Sequence, residues 1–284
     1  MADGLRVVAV DWSGRATGAA PYIWLAEARL GDDGPELVRL ECGRTREELV
    51  EHLVAMLDDP VDDGPLVVGL DFSFALPEWW LAQQGLGDGP GLWAAAADDS
   101  AGDSAGETWL AACAPPFWGR PGCPKPADHD GHDGLRATER ALSVGGIAPK
   151  STFQIGGAGA VGTGSVRGWP HLLRLHDAGF AVWPFDAPAE PPLVVEVWPR
   201  LCTGPVVKSD PVARVRYVRE HLGHVRGAPR DLMCASEDAL DAGCTALVMA
   251  EHHAQFARLD TPADPLAASE GWVWSPTRPR PGVA

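Results

Sequence analysis

Lysine is nearly missing from this chain. Three lysines (Lys125, Lys150, Lys208) stand among 23 basic residues, 39 acidic residues outnumber them, and the formal net charge is −16. Proteins that track phosphate backbones carry a basic face, because lysine and arginine release the counter-ions condensed on nucleic acid. No stretch of this sequence supplies such a face, so broad electrostatic coating of nucleic acid is excluded and a nucleic-acid partner would need a local basic groove. Much of the negative charge sits in apparent loops, at Asp32-Asp33, Asp58-Asp59, Asp62-Asp63 and Asp98-Asp99, where it serves solubility. Alanine, glycine and proline are abundant while lysine is scarce. A lysine kept against that bias is somewhat more apt to have a specific task.

Long apolar runs are also missing. Nothing approaches the ~18 continuous apolar residues that span a bilayer, and the short run Val7 to Val10 leads straight into Asp11 rather than forming a secretory segment. The expectation is a cytoplasmic protein with no membrane partner and an open oligomeric state. Six cysteines scattered over 284 residues are too sparse for a disulfide scaffold and read as reduced thiols. No repeat of solenoid period occurs. With 45% hydrophobic and 22% charged residues, the chain has the composition of a folded domain, expected to be a single unit over 1–284 with a tail from about 275 to 284.

What is present reads as an α/β pattern. Leu5 to Val10 is a valine-rich run typical of a strand buried on both faces, followed by Tyr22 to Ala28 and Glu36 to Glu41 as an antiparallel meander. Thr45 with Glu48 three residues later forms a capping box, and Leu49, Leu53, Met56 and Leu57 give the following helix an apolar stripe. Leu66 to Leu70 is another strand. From about 85 to 134 the composition turns to Gly, Ala, Asp and Pro, and a long loop-rich insertion is expected there. A helix over Leu172 to Ala178, strands at Phe180 to Phe185 and Leu193 to Trp198, a helix opened by Asp210-Pro211 with a stripe of Val212, Val215, Val218 and Leu222, and a last helix from Ser236 to about Phe256 complete the chain.

The chemistry rests on carboxylates. Asp11 and Asp71 each end a buried strand, in Val-Asp-Trp-Ser and Leu-Asp-Phe-Ser. Glu196 interrupts the apolar strand Val194-Val195-Glu196-Val197, and Asp238 and Asp241 share one helix face. Buried carboxylates are costly unless paired or metal-bound, and grouped ones raise each other's pKa; a divalent cation relieves both penalties. Oxygen ligands suit Mg²⁺ or Mn²⁺. The structural alternatives are that Asp11 and Asp71 are turn residues, that Glu196 pairs with Arg200, and that Asp238 is a helix-start charge.

Taken together, strand, strand, strand, helix, strand with aspartate after the first and fourth strands, then a late helix bearing Asp-Ala-Leu-Asp-Ala, resembles the ribonuclease-H-like superfamily. The late helix is similar to that of Holliday-junction resolvases. More closely, the stretches Val7 to Gly14, Val68 to Pro77, Pro149 to Gly168, Val195 to Arg200 and Ser236 to Ala242 resemble a family known as domain of unknown function four-two-nine, described as predicted ribonuclease-H-like nucleases. The resemblance implies a ribonuclease-H-like mixed sheet flanked by helices. It also implies metal ligation by Asp11, Asp71, Asp238 and Asp241, and phosphodiester hydrolysis with two ions; Glu196 falls outside the resolvase pattern and completes the site or supports it. Asp71 departs from the resolvases, which carry glutamate there. Lys150 and Arg200 are the candidates for gripping substrate phosphate.

Other signals lead elsewhere. Gly157 to Gly162 matches a dinucleotide-binding fingerprint, but that requires a helix to begin at the last glycines, and Arg167-Gly168-Trp169-Pro170 is expected to break helix too soon; a substrate-facing loop of N–H donors is the preferred reading. Cys113, Cys123, His129 and His132, with Asp130 and Asp133 beside them, match no common zinc spacing. His252-His253 read as solvated. Trp12, Trp79 and Trp80 are the tryptophans placed to stack on a base, and Ser13 and Ser73 lack a nucleophile elbow. Two rivals to a nuclease are an actin-like or sugar-kinase-like phosphotransferase, with Asp11 to Gly14 as its phosphate loop, and a non-catalytic binding protein retaining the fold.

Overall fold

The computed structural model describes residues 4–59, 64–100, 104–129 and 131–277. Asp62-Asp63, Asp130 and the end of the expected tail lie outside the described residues. Within them the chain is α/β, with a mixed six-stranded sheet flanked by helices. Strand β1 (Arg6–Asp11), β2 (Trp24–Gly31) and β3 (Gly34–Cys42) form the expected antiparallel meander. Helix α1 (Arg46–Ala55) begins at the Thr45 capping box, with Thr45 Oγ1 accepting from the Glu48 N–H at 3.2 Å. Strand β4 (Leu66–Leu70) then pairs parallel with β1.

The stretch read as loop-rich is largely folded, which corrects that expectation. After α2 (Glu78–Gln83), α3 (Gly89–Ala97) is capped by Asp88, which accepts from Gly91 N–H at 3.0 Å, and α4 (Ala105–Ala112) follows it. The small alanine faces bring Trp93 and Leu110 into full burial. The part beyond Ala112 is irregular, and there Cys113 and Cys123 are joined in a disulfide, which corrects the reduced-thiol expectation for these two.

After the short α5 (Ala137–Ala141) comes the second correction. α6 runs unbroken over Gly162–Asp177 with Pro170 inside it. Proline removes one helical hydrogen bond, yet the complete burial of Val166, Trp169, Leu172 and Leu175 against the sheet outweighs that loss. The helix therefore does begin at the last glycine of the fingerprint. Such a fingerprint also needs a strand before it, and that is missing, since 151–155 forms only an isolated bridge to Trp118.

Strands β5 (Ala181–Trp183) and β6 (Leu193–Glu196) complete the sheet in the order β3-β2-β1-β4-β6-β5. The helices α7 (Arg200–Thr203), α8 (Pro211–His221), α9 (Ala228–Ala235), α10 (Glu237–Glu251) and α11 (Ala267–Glu270) follow. α8 is capped by Asp210 as expected, but Val212 and Val215 are exposed and only Val218 and Leu222 are buried. α10 ends at Glu251, short of the expected Phe256, and a 3-10 turn follows; His252 and His253 are half-buried rather than solvated.

Period-two alternation divides the core. Val8, Val10, Val68 and Leu70 face α1, α3 and α6, while Val7, Ala9, Val67 and Val195 face α10. Gly69 is what lets α10 lie so close, since a Cβ there would stand 2.7 Å from Met249 Sδ. Among the described residues, no helix is long and apolar enough to cross a membrane.

Candidate functional site

Register sets the site. Val10 pairs with Leu70 in the parallel ladder, and Asp71 N–H donates to Val10 O at 3.0 Å, so Asp11 and Asp71 leave the sheet side by side. α10 starts at the same edge, its first turn fixed by Ser236 Oγ, which accepts from Ala239 N–H at 3.2 Å. The helix spacing then turns Asp241, and behind it Asp238, toward the strand ends.

These four carboxylates interact. Burial, then the charges of Asp71, Asp241 and Asp238, hold the Asp11 carboxyl well above its usual range. Asp71 is pushed up to about 8, by burial first and then by Asp241. Asp241 and Asp238 are raised as well, each chiefly by burial. Opposing the rise in all four is Lys208, whose Nζ forms an ion pair with Asp241 Oδ2. Asp241 Oδ1 is buried without a hydrogen-bond partner. Lys208 was missed as a site residue; the only sequence signal for it was the scarcity of lysine.

Glu196 belongs to a different constellation. It lies opposite Leu70 on β6, near Asp71, but its oxygens accept from Arg136 Nη2 at 2.5 Å, from Arg136 Nη1 at 2.8 Å and from the Phe74 N–H at 2.9 Å. Its partner is Arg136, not Arg200, and both side chains are buried. Arg200 instead donates Nη1 to Gly204 O at 3.3 Å and Val206 O at 2.5 Å, close enough to Asp241 to lower its pKa. Lys150 is exposed at the rim of a small cavity of about 40 Å³ that also reaches Asp71, with its stem against Gly159.

A larger cavity of about 700 Å³ opens beside Asp11 and Asp238. Trp12, Ser13 and Arg15 line one side, the glycine-rich 156–160 loop and Thr163 at the start of α6 the other. Gly14 is pressed on that helix start, where a Cβ would fall 2.6 Å from Gly164 N. Two arginines brace the turn from behind: Arg46 Nη2 donates to Ser13 O at 2.5 Å and Arg15 O at 2.6 Å, and Arg167 Nη1 donates to Gly14 O at 2.5 Å. Of the tryptophans expected near the site, Trp12 lines this cavity. Trp80 is packed in the core against Trp109, and Trp79 stacks on His132 with ring centroids 5.0 Å apart.

The donor set fits a hard divalent cation in kind: all-oxygen ligands, pKa values raised first by burial and then by neighbouring carboxylates, and the orphaned Asp241 Oδ1. In the arrangement described, no three Asp, Glu, His or Cys side chains among the described residues form a finished coordination shell, and the cation in contact with the cluster is Lys208. No family model, curated protein or solved structure matches this chain.

Proposed function

We propose that this protein is a divalent-metal-dependent phosphodiester hydrolase, a nuclease or phosphodiesterase of the ribonuclease-H-like superfamily using Mg²⁺ or Mn²⁺. The observation that carries this reading is the convergence of Asp11, Asp71 and Asp241 from β1, β4 and α10 on one edge of the sheet, Asp241 buried, Asp11 and Asp71 partly so, and the group under-compensated. Structural carboxylates are normally buried with their partners. Strongly perturbed ones gathered beside a cavity are the mark of a site that takes up positive charge. The order strand, strand, strand, helix, strand from β1 to β4, with Asp11 ending β1 and Asp71 following β4, supports the reading.

A bound divalent cation would activate water and offset charge on the phosphate. Asp11, Asp71 and Asp241 would hold it, with Asp238 half-buried at the outer edge. The 156–160 loop and the exposed Arg15, its guanidinium 3.7 Å over the Tyr22 ring, line the cavity where a phosphate would lie. A cavity of this size in an acidic protein favours a short or single-stranded phosphodiester over a long duplex.

The test is cleavage of labelled single-stranded, duplex, hybrid and branched substrates and of small phosphodiesters with Mn²⁺ or Mg²⁺. Cleavage lost on chelation and in Asp11→Asn is expected. Metal-independent cleavage, or none of any substrate, would defeat the reading. A phosphotransferase is favoured by one observation, the Asp11 to Gly14 turn seated on the start of α6 beside a glycine-rich loop; nucleotide-dependent thermal stabilisation without cleavage would select it.

A further inference from the structure

We infer that Lys208 is a resident cation of the carboxylate site, standing in one of two cation positions, so that the site takes a single divalent ion between Asp11, Asp71 and Asp241 Oδ1. This rests on the metal-dependent reading above and deepens it.

The lysine is placed rather than merely nearby. Its side chain is 12% exposed and that of Asp241 10%, unlike the solvated ends of most lysines. The backbone of the short 204–208 segment is tied at both ends by arginines. Arg200 donates to Gly204 O and Val206 O. Arg214, itself buried, donates Nη1 to Lys208 O, Nε to Cys234 O at 3.2 Å and Nη2 to Ala235 O at 3.1 Å. Cys234 and Ala235 immediately precede the Ser236 cap of α10. One guanidinium therefore fixes the lysine backbone to the start of the helix that carries Asp241. Holding a surface lysine would not need this.

Charge and stoichiometry follow. Asp241 offers two oxygens: Oδ2 is taken by the ammonium and Oδ1 is buried and unpartnered. Two divalent ions in such sites stand ~3.5–4 Å apart. An ammonium on one oxygen of Asp241 occupies that second position. It also repels a second dication at short range in a poorly screened site. With Lys208 in place the four carboxylates retain enough excess negative charge for one divalent ion, and without it for two.

The experiment is titration of the full chain with Mn²⁺, reading the free ion by electron paramagnetic resonance. One tightly bound ion per chain is expected for the wild type and for Lys208→Arg, and two for Lys208→Met, with the second lost again when Asp241→Asn is added. Two ions in the wild type, or one in a folded Lys208→Met, would overturn the inference while leaving metal dependence standing. No bound Mn²⁺ in the wild type or any variant would overturn the metal-dependent reading and the inference together. Should Lys208→Met fail to fold, the counts for the wild type and Lys208→Arg decide.

Discussion

Two clusters of charge meet near the ends of β4 and β6, and they are built on opposite terms. In the first, Arg136 is held between Glu196 and Glu139, and nearly every polar atom has a partner. Glu139 Oε1 accepts from Arg136 Nε at 3.0 Å and Thr152 Oγ1 at 3.2 Å, while Glu270 accepts from the Glu78 and Ala137 N–H groups at 2.8 and 2.6 Å. Burial would push the Arg136 guanidinium down, but the two glutamates outweigh it and hold it charged. In the second cluster, four aspartates share one lysine, and Asp241 Oδ1 has no hydrogen bond at all. The saturated cluster joins β6 to α5 and to the segment after α10; the deficient one faces a cavity. Saturation marks architecture, and deficit marks a place kept for something else.

The largest effect should come from breaking the saturated cluster. Arg136→Met leaves Glu196 and Glu139 buried without their cation, and a loss of ~3–5 kcal/mol is expected, measurable by chemical denaturation. A loss below ~1 kcal/mol would erase the distinction between the clusters. Loosening the deficient cluster should act in the opposite direction. In chelator at pH 8, Asp71→Asn removes a repelled charge and should stabilise by ~1 kcal/mol or more, since each pKa unit is worth ~1.36 kcal/mol; with Mn²⁺ present the same variant should abolish cleavage. Glu196→Gln, by contrast, should destabilise.

The pH dependence sharpens the same contrast. Asp71 titrates near 8 when folded but at ~3.9 when unfolded. Between those values the folded state holds the extra proton, so the metal-free protein should lose stability as pH rises from about 4 to 8. The melting temperature should fall by ~2–4 °C for each kcal/mol lost, and Mn²⁺ should restore most at the alkaline end. His171 acts with the other sign: burial lowers its pKa to about 4, so its contribution is lost as pH drops below about 6.5. A melting temperature flat from pH 6.5 to 8 in chelator would contradict the deficit at Asp71. The smallest effect is expected from Lys150→Ala, exposed at the rim, with stability unchanged within ~0.5 kcal/mol and only KM raised.

The elements legible from sequence were those with local signatures: β1 and β4 from valine runs ending in aspartate, α1 from Thr45 and Glu48, α8 from Asp210-Pro211, and the start of α10 from Ser236. Those that escaped were written in small or helix-breaking residues. α3 is mostly alanine and glycine, and its Asp88-Gly89-Pro90 start has the composition of a loop. α6 contains Gly164, Gly168 and Pro170, each unfavourable to an isolated helix. Gly168 is needed because a Cβ there would stand 2.6 Å from the Phe72 ring. Burial of one whole face supplied the stability that local propensity withheld.

The sequence by itself determined that Asp11 and Asp71 end buried strands and that Asp238 and Asp241 share a helix face, because strand and helix periods are local properties of the backbone. Only the tertiary structure decided which charges meet. Arg136 reaches Glu196 across 60 residues and Lys208 reaches Asp241 across 33, and no periodicity encodes such a pairing. An ion pair depends on distance and on how far water is excluded around it, and both exist only once the sheet and its two helical layers have closed.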